Sequence, residues 1–294
     1  MSEAGAGSPG PANAQAPARW DGAAYDGVSD PQVRMGAAVV ARLDLSGDER
    51  VLDAGCGSGR VTELLLERLP DGRVVALDAS QSMLTEARRR LAPHLGDGNA
   101  DGDPDPDRVT FVRADLGEPL PPGLGSFDAV LSTAVFHWVR DHDALFRHLA
   151  AVLRPGGQLV AQCGGAGNTA TVLAALEQLG AASVWNFATP EQTALRLAAA
   201  GFADAEVWLQ PEPVVLEPGE PLETYLATVV LPAHLAAMPA AERPAFVRAV
   251  AARLPGPELD YVRLNIVARR DRDRAASARS GKLPEPRPGR PGPA

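Results

Sequence analysis

Apolar residues in this chain come in short runs separated by longer stretches of helical period. The runs 51–52, 74–77, 109–112, 129–132 and 159–161 are built of Val, Leu, Ala and Phe with single Thr110 and Ser132 and are bounded by turn-forming or polar residues, so each predicts a buried strand. Residues 60–69 place Val61, Leu64, Leu65 and Leu69 on one helical face. Residues 83–91 follow Ser80, a candidate N-cap, and residues 144–153 carry a stripe of Leu145, Leu149 and Val152 behind a cap at Asp141 or Asp143. Helical segments are thus expected after each of the first four strands. Such alternation predicts an α/β fold, a doubly wound and mostly parallel sheet with helices on both faces. Two later strand-like runs, 207–209 and 261–268, would close the other edge of a seven-stranded sheet.

Three segments have no apolar period: the Gly/Ala/Pro-rich 1–18, the acidic 94–107, and 271–294, rich in Arg, Ser and Pro. None can bury enough surface to offset its ordering entropy, so all three are expected to be disordered. One domain over 19–270 remains. Within it, 221–254 is expected to pack as helices over the strand ends and shape a pocket before the last strand. A chain of 294 residues, 45% of them hydrophobic, can bury a full core. The formal charge of −9 argues against nucleic acid as the main partner.

The two cysteines, Cys56 and Cys163, exclude a disulfide framework and an ordinary cysteine-based zinc site, and they suit a reducing compartment. Residues 1–18 lack the basic and apolar regions of a signal peptide, and no apolar run approaches a membrane span, so a soluble, cytoplasmic protein is expected. Residues 97–103 open like a calcium-binding loop. Arg108 stands where that loop needs a bidentate Glu, and Pro104 and Pro106 interrupt it, so no metal is expected. The oligomeric state is not legible.

Ligands of open α/β sheets bind outside the carboxyl ends of the strands. The first strand runs into Asp53-Ala54-Gly55-Cys56-Gly57-Ser58-Gly59-Arg60, the second into Asp78-Ala79, and the third into Asp115-Leu116. The fourth leads through Thr133 to Phe136-His137-Trp138, and Arg154-Pro155-Gly156-Gly157 introduces the fifth. A glycine-rich turn admits a ligand close to the backbone, and the helix after it aims free N–H groups at an anion. The dehydrogenase fingerprint is not met, because Arg60 stands where it requires Gly or Ala.

In this order the motifs resemble the class I S-adenosylmethionine (SAM)-dependent methyltransferases. The resemblance implies SAM as cofactor, with Gly55, Cys56, Gly57, Gly59 and Arg60 forming the turn around it. It places Asp53 near the ammonium group, Asp78 on both ribose hydroxyls and Asp115 on the adenine amino group. Ala79, Met83, Leu116 and Thr133 complete the implied cofactor site. Finer motifs are similar to the trans-aconitate methyltransferase branch: Trp20 with Tyr25, Asp78-Ala79-Ser80 with Met83, His137-Trp138-Val139 with Asp141-His142, Tyr225-Leu226, and Tyr261-Val262-Arg263. Gln is more usual in that branch where His137 stands.

The resemblance implies a small-molecule acceptor, preferably a carboxylate made into a methyl ester, with a phenolic, hydroxyl or carbon acceptor as the alternative. A dehydrogenase or a non-catalytic SAM-binding protein is the alternative from another class. A carboxylate needs no base, whereas a hydroxyl does. His137 is the candidate base or orienting group. Trp20, Tyr25, Phe136, Trp138, Tyr225 and Arg263 are candidate pocket residues, and Arg34, Arg140 and Arg263 are candidates for holding an acid. Asp141 is expected as a helix cap, His142 as exposed, and Cys163 as buried and inert. No Asn/Asp-Pro-Pro-Tyr/Phe run follows the fourth strand, which disfavours methylation of nucleic-acid amino groups.

Overall fold

A computed structural model describes Tyr25, Gly27, Val28 and residues 30–95 and 108–272. Trp20, segment 1–18, residues 96–107 of the acidic run and residues from 273 onward lie outside the described residues. In chain order the strands are β1 (Arg50–Ala54), β2 (Arg73–Asp78), β3 (Val109–Arg113), β4 (Phe127–Thr133), β5 (Leu153–Gly164), β6 (Phe202–Pro211), β7 (Val214–Val215), β8 (Glu258–Leu259) and β9 (Val262–Arg270). The helices are α1 (Asp30–Val40), α2 (Arg60–Glu67), α3 (Gln81–Arg90), α4 (His142–Val152), α5 (Ala170–Gln178), α6 (Pro190–Ala200), α7 (Glu220–Tyr225), α8 (Pro232–Ala236) and α9 (Arg243–Ala251).

Seven strands form one sheet in the order β3-β2-β1-β4-β5-β9-β6. The first five are parallel, and β9 runs antiparallel to both β5 and β6. Alternate side chains of each central strand serve opposite faces. Leu52, Val75, Leu77, Val130, Leu159 and Ala161 join a core with Phe146 and Leu149 of α4 and Leu197 of α6. Val51, Val74, Ala76, Leu131 and Val160 join another with Val39 of α1, Leu65 of α2 and Leu84 of α3. This alternation is the physical content of the doubly wound expectation. A third core lies outside the sheet: α5, the small β7–β8 ladder, α7, a π-helical turn at Leu226–Val230, α8 and α9 bury Leu176, Leu226, Leu231 and Val250 together.

Local signals explain several boundaries. Ser80 accepts from the Met83 N–H at the start of α3, and Asp141 accepts from the Ala144 N–H at the start of α4, as their sequence positions suggest. Thr189 and Gln192 form a reciprocal capping box at α6.

Two expectations fail. No helix follows β3 among the described residues: the path to β4 carries Pro119, Pro121 and Pro122 with Gly117, Gly123 and Gly125, which remove donors and rigid helical backbone. His142 is not exposed. It has 2% of its surface accessible, and its Nε2 lies 2.9 Å from the Phe136 carbonyl. With Asp141 as the cap, His142 becomes the first helical residue and folds under the turn at Phe136–Trp138.

Candidate active site

The carboxyl ends of β1, β2 and β4 converge on the glycine turn. Gly55 and Cys56 both donate backbone N–H groups to the Leu77 carbonyl, at 2.7 and 2.9 Å, which closes the turn over β2. Gly55 (φ +89°), Gly57 (φ +55°) and Gly59 (φ +83°) all adopt positive φ. At Gly55 a side chain is excluded twice: by that φ, and because a Cβ would sit 2.2 Å from Cγ2 of Val135. Gly55→Ala is therefore expected to cost about 2–5 kcal/mol from strain and overpacking together. A melting temperature lowered by roughly 5–15 °C is the readout.

Asp53 is 1% exposed. Its Oδ2 accepts from the Thr62 hydroxyl at 2.6 Å, while Oδ1 is buried without a partner. Burial pushes this carboxyl up to about 7, against the lowering effect of the Thr62 bond. Asp78 is half-buried, and its two oxygens accept from the Gly57 N–H (2.9 Å) and the Ser80 N–H (2.8 Å). Burial raises its pKa, opposed by those backbone donors. Cys56 and Met83 are buried beside the turn, and Thr133 is half-buried at the end of β4. Asp115 is exposed and accepts from the Gly117 N–H at 2.9 Å, with Leu116 buried behind it. The Ala79 carbonyl accepts from Arg113. Arg60 reaches away from the turn, pairing with Asp30 of α1 at 2.7 Å.

A pocket of about 460 Å³, open mouth included, adjoins these strand ends. Tyr25, Gln32, Ala134, His137, Trp138, Asn168, Thr169, Trp185, Phe187, Val229, Val230, Tyr261 and Arg263 line it. The direction of β9 explains one of them. Arg263 pairs with Gly164 across the β5–β9 ladder, so an antiparallel strand brings its first residues to the carboxyl end of β5. Arg263 is 4% exposed. Among the described residues it has no acidic partner, its Nε makes no hydrogen bond, and its guanidinium lies 5.6 Å from the Tyr261 ring. The other two candidate arginines, Arg34 and Arg140, are exposed.

His137 is fixed by its surroundings. The Gly164 N–H donates to its Nδ1 at 3.2 Å. A nitrogen that accepts a hydrogen bond carries no proton, so the neutral ring holds its proton on Nε2. Burial, with Arg263 and His142 nearby, holds the ring well below the usual histidine range, so this neutral donor form prevails at physiological pH.

Two of the pocket candidates, Phe136 and Tyr225, do not line this pocket. Phe136 belongs to the main core, edge-on to Phe146 with centroids 5.9 Å apart. In a single 3₁₀ turn, successive side chains point about 120° apart, so His137 and Trp138 face the pocket and Phe136 cannot. Tyr225 stands one layer back, where its hydroxyl accepts from Gln32 Nε2 and from the Tyr261 hydroxyl.

The residues missed as pocket wall are Gln32, Asn168, Thr169, Trp185, Phe187 and Tyr261, whereas Val229 and Val230 come from the segment 221–254 that was expected to shape a pocket. Trp185 and Phe187 come from the irregular segment between α5 and α6, which carries no periodic signal. That segment is tied down by Asn186, whose N–H donates to the His137 carbonyl (2.8 Å) and whose Nδ2 donates to the Arg140 carbonyl (2.9 Å). The one available signal was compositional, a pair of aromatics in a chain with only 5% aromatic residues. Cys163 is buried, and its thiol is pushed up to about 12 by burial, which keeps it unreactive.

A family model described as a methyltransferase domain matches residues 51–157. The trans-aconitate 2-methyltransferase of Methylobacterium nodulans is 38% identical over 147 residues, which is 49% of this chain and 50% of that protein. The chain thus spans about half the length of the first curated relatives it matches. The trans-aconitate 2-methyltransferase of Paracidovorax citrulli is 31% identical over 65% of this chain and 68% of its own length. Among solved structures, phosphoethanolamine N-methyltransferase 2 of Haemonchus contortus, in complex with phosphomonomethylethanolamine and S-adenosylhomocysteine, shares the fold. Its TM-score is 0.55 at 21% identity, over 85% of this chain and 56% of that one. No helix among the described residues is long and apolar enough to cross a membrane. With the sheet order, the glycine turn and a relative matched over two thirds of its length, this chain belongs to the class I SAM-dependent methyltransferases.

Proposed function

We propose that the protein methylates a carboxylate oxygen of a small acid, giving a methyl ester. The observation that carries this reading is Arg263, a permanent cation buried at the pocket wall with no acidic partner among the described residues. An unpaired buried charge is costly, so an anionic ligand that pairs with it at the pocket wall would offset that cost. The relatives' names, which specify trans-aconitate, support the same acceptor chemistry.

The residues present fit SAM. The unpartnered Oδ1 of Asp53 offers an acceptor for an ammonium group. A Cβ built on Gly57 would meet nothing within 4 Å, so the turn has an open face for a ligand. Asp78 retains lone pairs for ribose hydroxyls beyond the two backbone donors it already serves. Asp115, one oxygen of which accepts from the Gly117 N–H, keeps lone pairs that would serve an adenine amino group. When bound, SAM supplies a methyl group activated by its sulfonium.

The chain's own task is then to hold the acceptor oxygen in line and exclude water, a positional effect worth up to about 7–11 kcal/mol of barrier. Arg263 anchors and orients the carboxylate. An acceptor carboxylate is ionised at neutral pH, so no base is required. None of the pocket groups offers one readily: His137 presents Nε2–H, and burial raises the Tyr25 phenol far above neutrality. The protein's role for His137 is donation, orienting the acceptor from the side opposite its Gly164 anchor.

A methyl-transfer screen against acids, phenols and amines, with products identified by mass, tests the reading. Methyl esters are expected; methylated phenols or amines without any ester would overturn it. His137→Gln keeps a donor and is expected to retain ester formation within about tenfold. A loss beyond 100-fold that appears with a new basic pH limb would restore the base.

Asp53 predicts a pH dependence. Its carboxyl titrates near 7 without ligand, and a cationic neighbour favours the ionised form. Binding of S-adenosylhomocysteine should therefore release a proton below pH 7, tighten by up to about tenfold per pH unit on approaching 7, and level off above it. Calorimetry in buffers of different ionisation enthalpy measures the proton; a pH-independent affinity separates Asp53 from the ammonium group.

A further inference from the structure

Besides Tyr25 and Tyr261, three aromatic residues share the pocket lining with Arg263: Trp138, Trp185 and Phe187. Trp185 and Phe187 stack, with centroids 5.6 Å apart and planes 12° from parallel, and Trp138 packs 6.0 Å from Trp185. His137 closes the row 5.8 Å from Phe187. The wall is preorganised. Asn186 pins its backbone to the β4–α4 connection, the Ala166 N–H donates to the Ala188 carbonyl, and a Cβ at Gly164 would sit 2.6 Å from Phe187, so β5 is shaped to seat that ring.

Arg263 is the sole permanent charge among the described residues that line the pocket. Two polar neighbours are already committed: Tyr261 donates to Tyr225, and Asn168 accepts from the Val262 N–H. Of the others, Gln32 turns an unpartnered carbonyl oxygen, itself an acceptor, to a further carboxylate, and the His137 Nε2–H serves the carboxylate already held. A tricarboxylate held here by one carboxyl would press two more anions toward ring faces, which carry the negative part of the aromatic quadrupole. A cationic acceptor would suit the rings, but Arg263 repels it.

We infer that the acceptor is a monocarboxylic acid with a planar aromatic arm, its carboxylate on Arg263 and its arm against Trp138, Trp185 and Phe187. The inference rests on the ester-forming reading and narrows its substrate class. It separates this chain from its relatives named for trans-aconitate.

The test gives the full chain SAM with trans-cinnamate, cinnamyl alcohol, cinnamylamine and trans-aconitate, and identifies products by mass. Cinnamate methyl ester is expected, with kcat/KM at least tenfold above that for trans-aconitate and no product from the alcohol or amine. Turnover of trans-aconitate equal to or better than cinnamate overturns this inference and leaves ester formation standing. Methylation of the alcohol or amine without ester, or no acid turned over, overturns both. Trp185→Leu is expected to raise KM for cinnamate at least tenfold while KM for SAM stays within twofold, and Trp185→Phe should restore most of the loss. An unchanged KM for cinnamate in Trp185→Leu removes the aromatic arm.

Discussion

Replacing Arg263 with methionine is expected to lower kcat/KM for acid acceptors by about 10²–10³-fold, while S-adenosylhomocysteine affinity stays within about threefold. Removing one partner of a desolvated, hydrogen-bonded charge pair costs about 2–5 kcal/mol, and the fold-change follows from that range. The free protein should respond in the opposite sense. Arg263 is buried on β9 with an unsatisfied Nε and no acid beside it, so an apolar side chain of similar volume relieves a desolvation cost. Thermal unfolding of Arg263→Met without ligand should therefore occur at the wild-type temperature or above. Added acceptor acid should raise the melting temperature of the wild type and leave the variant unmoved. A variant that melts lower and keeps its activity would make Arg263 a structural residue.

Asp78→Ala is expected to weaken S-adenosylhomocysteine binding by at least about 100-fold. Two losses combine there. The Gly57 and Ser80 N–H groups lose the acceptor that shapes the turn, and the ribose hydroxyls lose theirs. Hydrogen bonds to a charged group contribute about 1.5–3 kcal/mol each, so two account for the expected change. Asp78→Asn, which keeps one carbonyl oxygen, should fall between the wild type and Asp78→Ala. Titration calorimetry reads both; wild-type affinity in Asp78→Ala would remove Asp78 from the ribose role.

The strand ends were the most legible part of the molecule. Each central strand is a short apolar run that must be covered on both faces, and each ends in residues that cannot continue it: Asp53 before the glycine turn, Asp78 before Ser80, Asp115 before Gly117. Period and punctuation are local properties, so they survive in one dimension. The connection after β3 misled because strand–helix alternation was extended across it, while its own prolines and glycines (Pro119, Pro121, Pro122, Gly117, Gly123 and Gly125) forbid the helix.

The alternating strands and helices, the two-faced core and the glycine turn with its three acids follow from the residues alone, because burial period and backbone permission are written residue by residue. The acceptor side emerges only once the strands are paired. Arg263 reaches the strand ends because β9 runs antiparallel, and Trp185 and Phe187 reach them because Asn186 ties an aperiodic segment across the sheet. His137 became a donor because a backbone N–H from β5, 27 residues away, occupies its other nitrogen. Such contacts depend on strand direction and long-range pairing, which leave no pattern in the neighbouring residues.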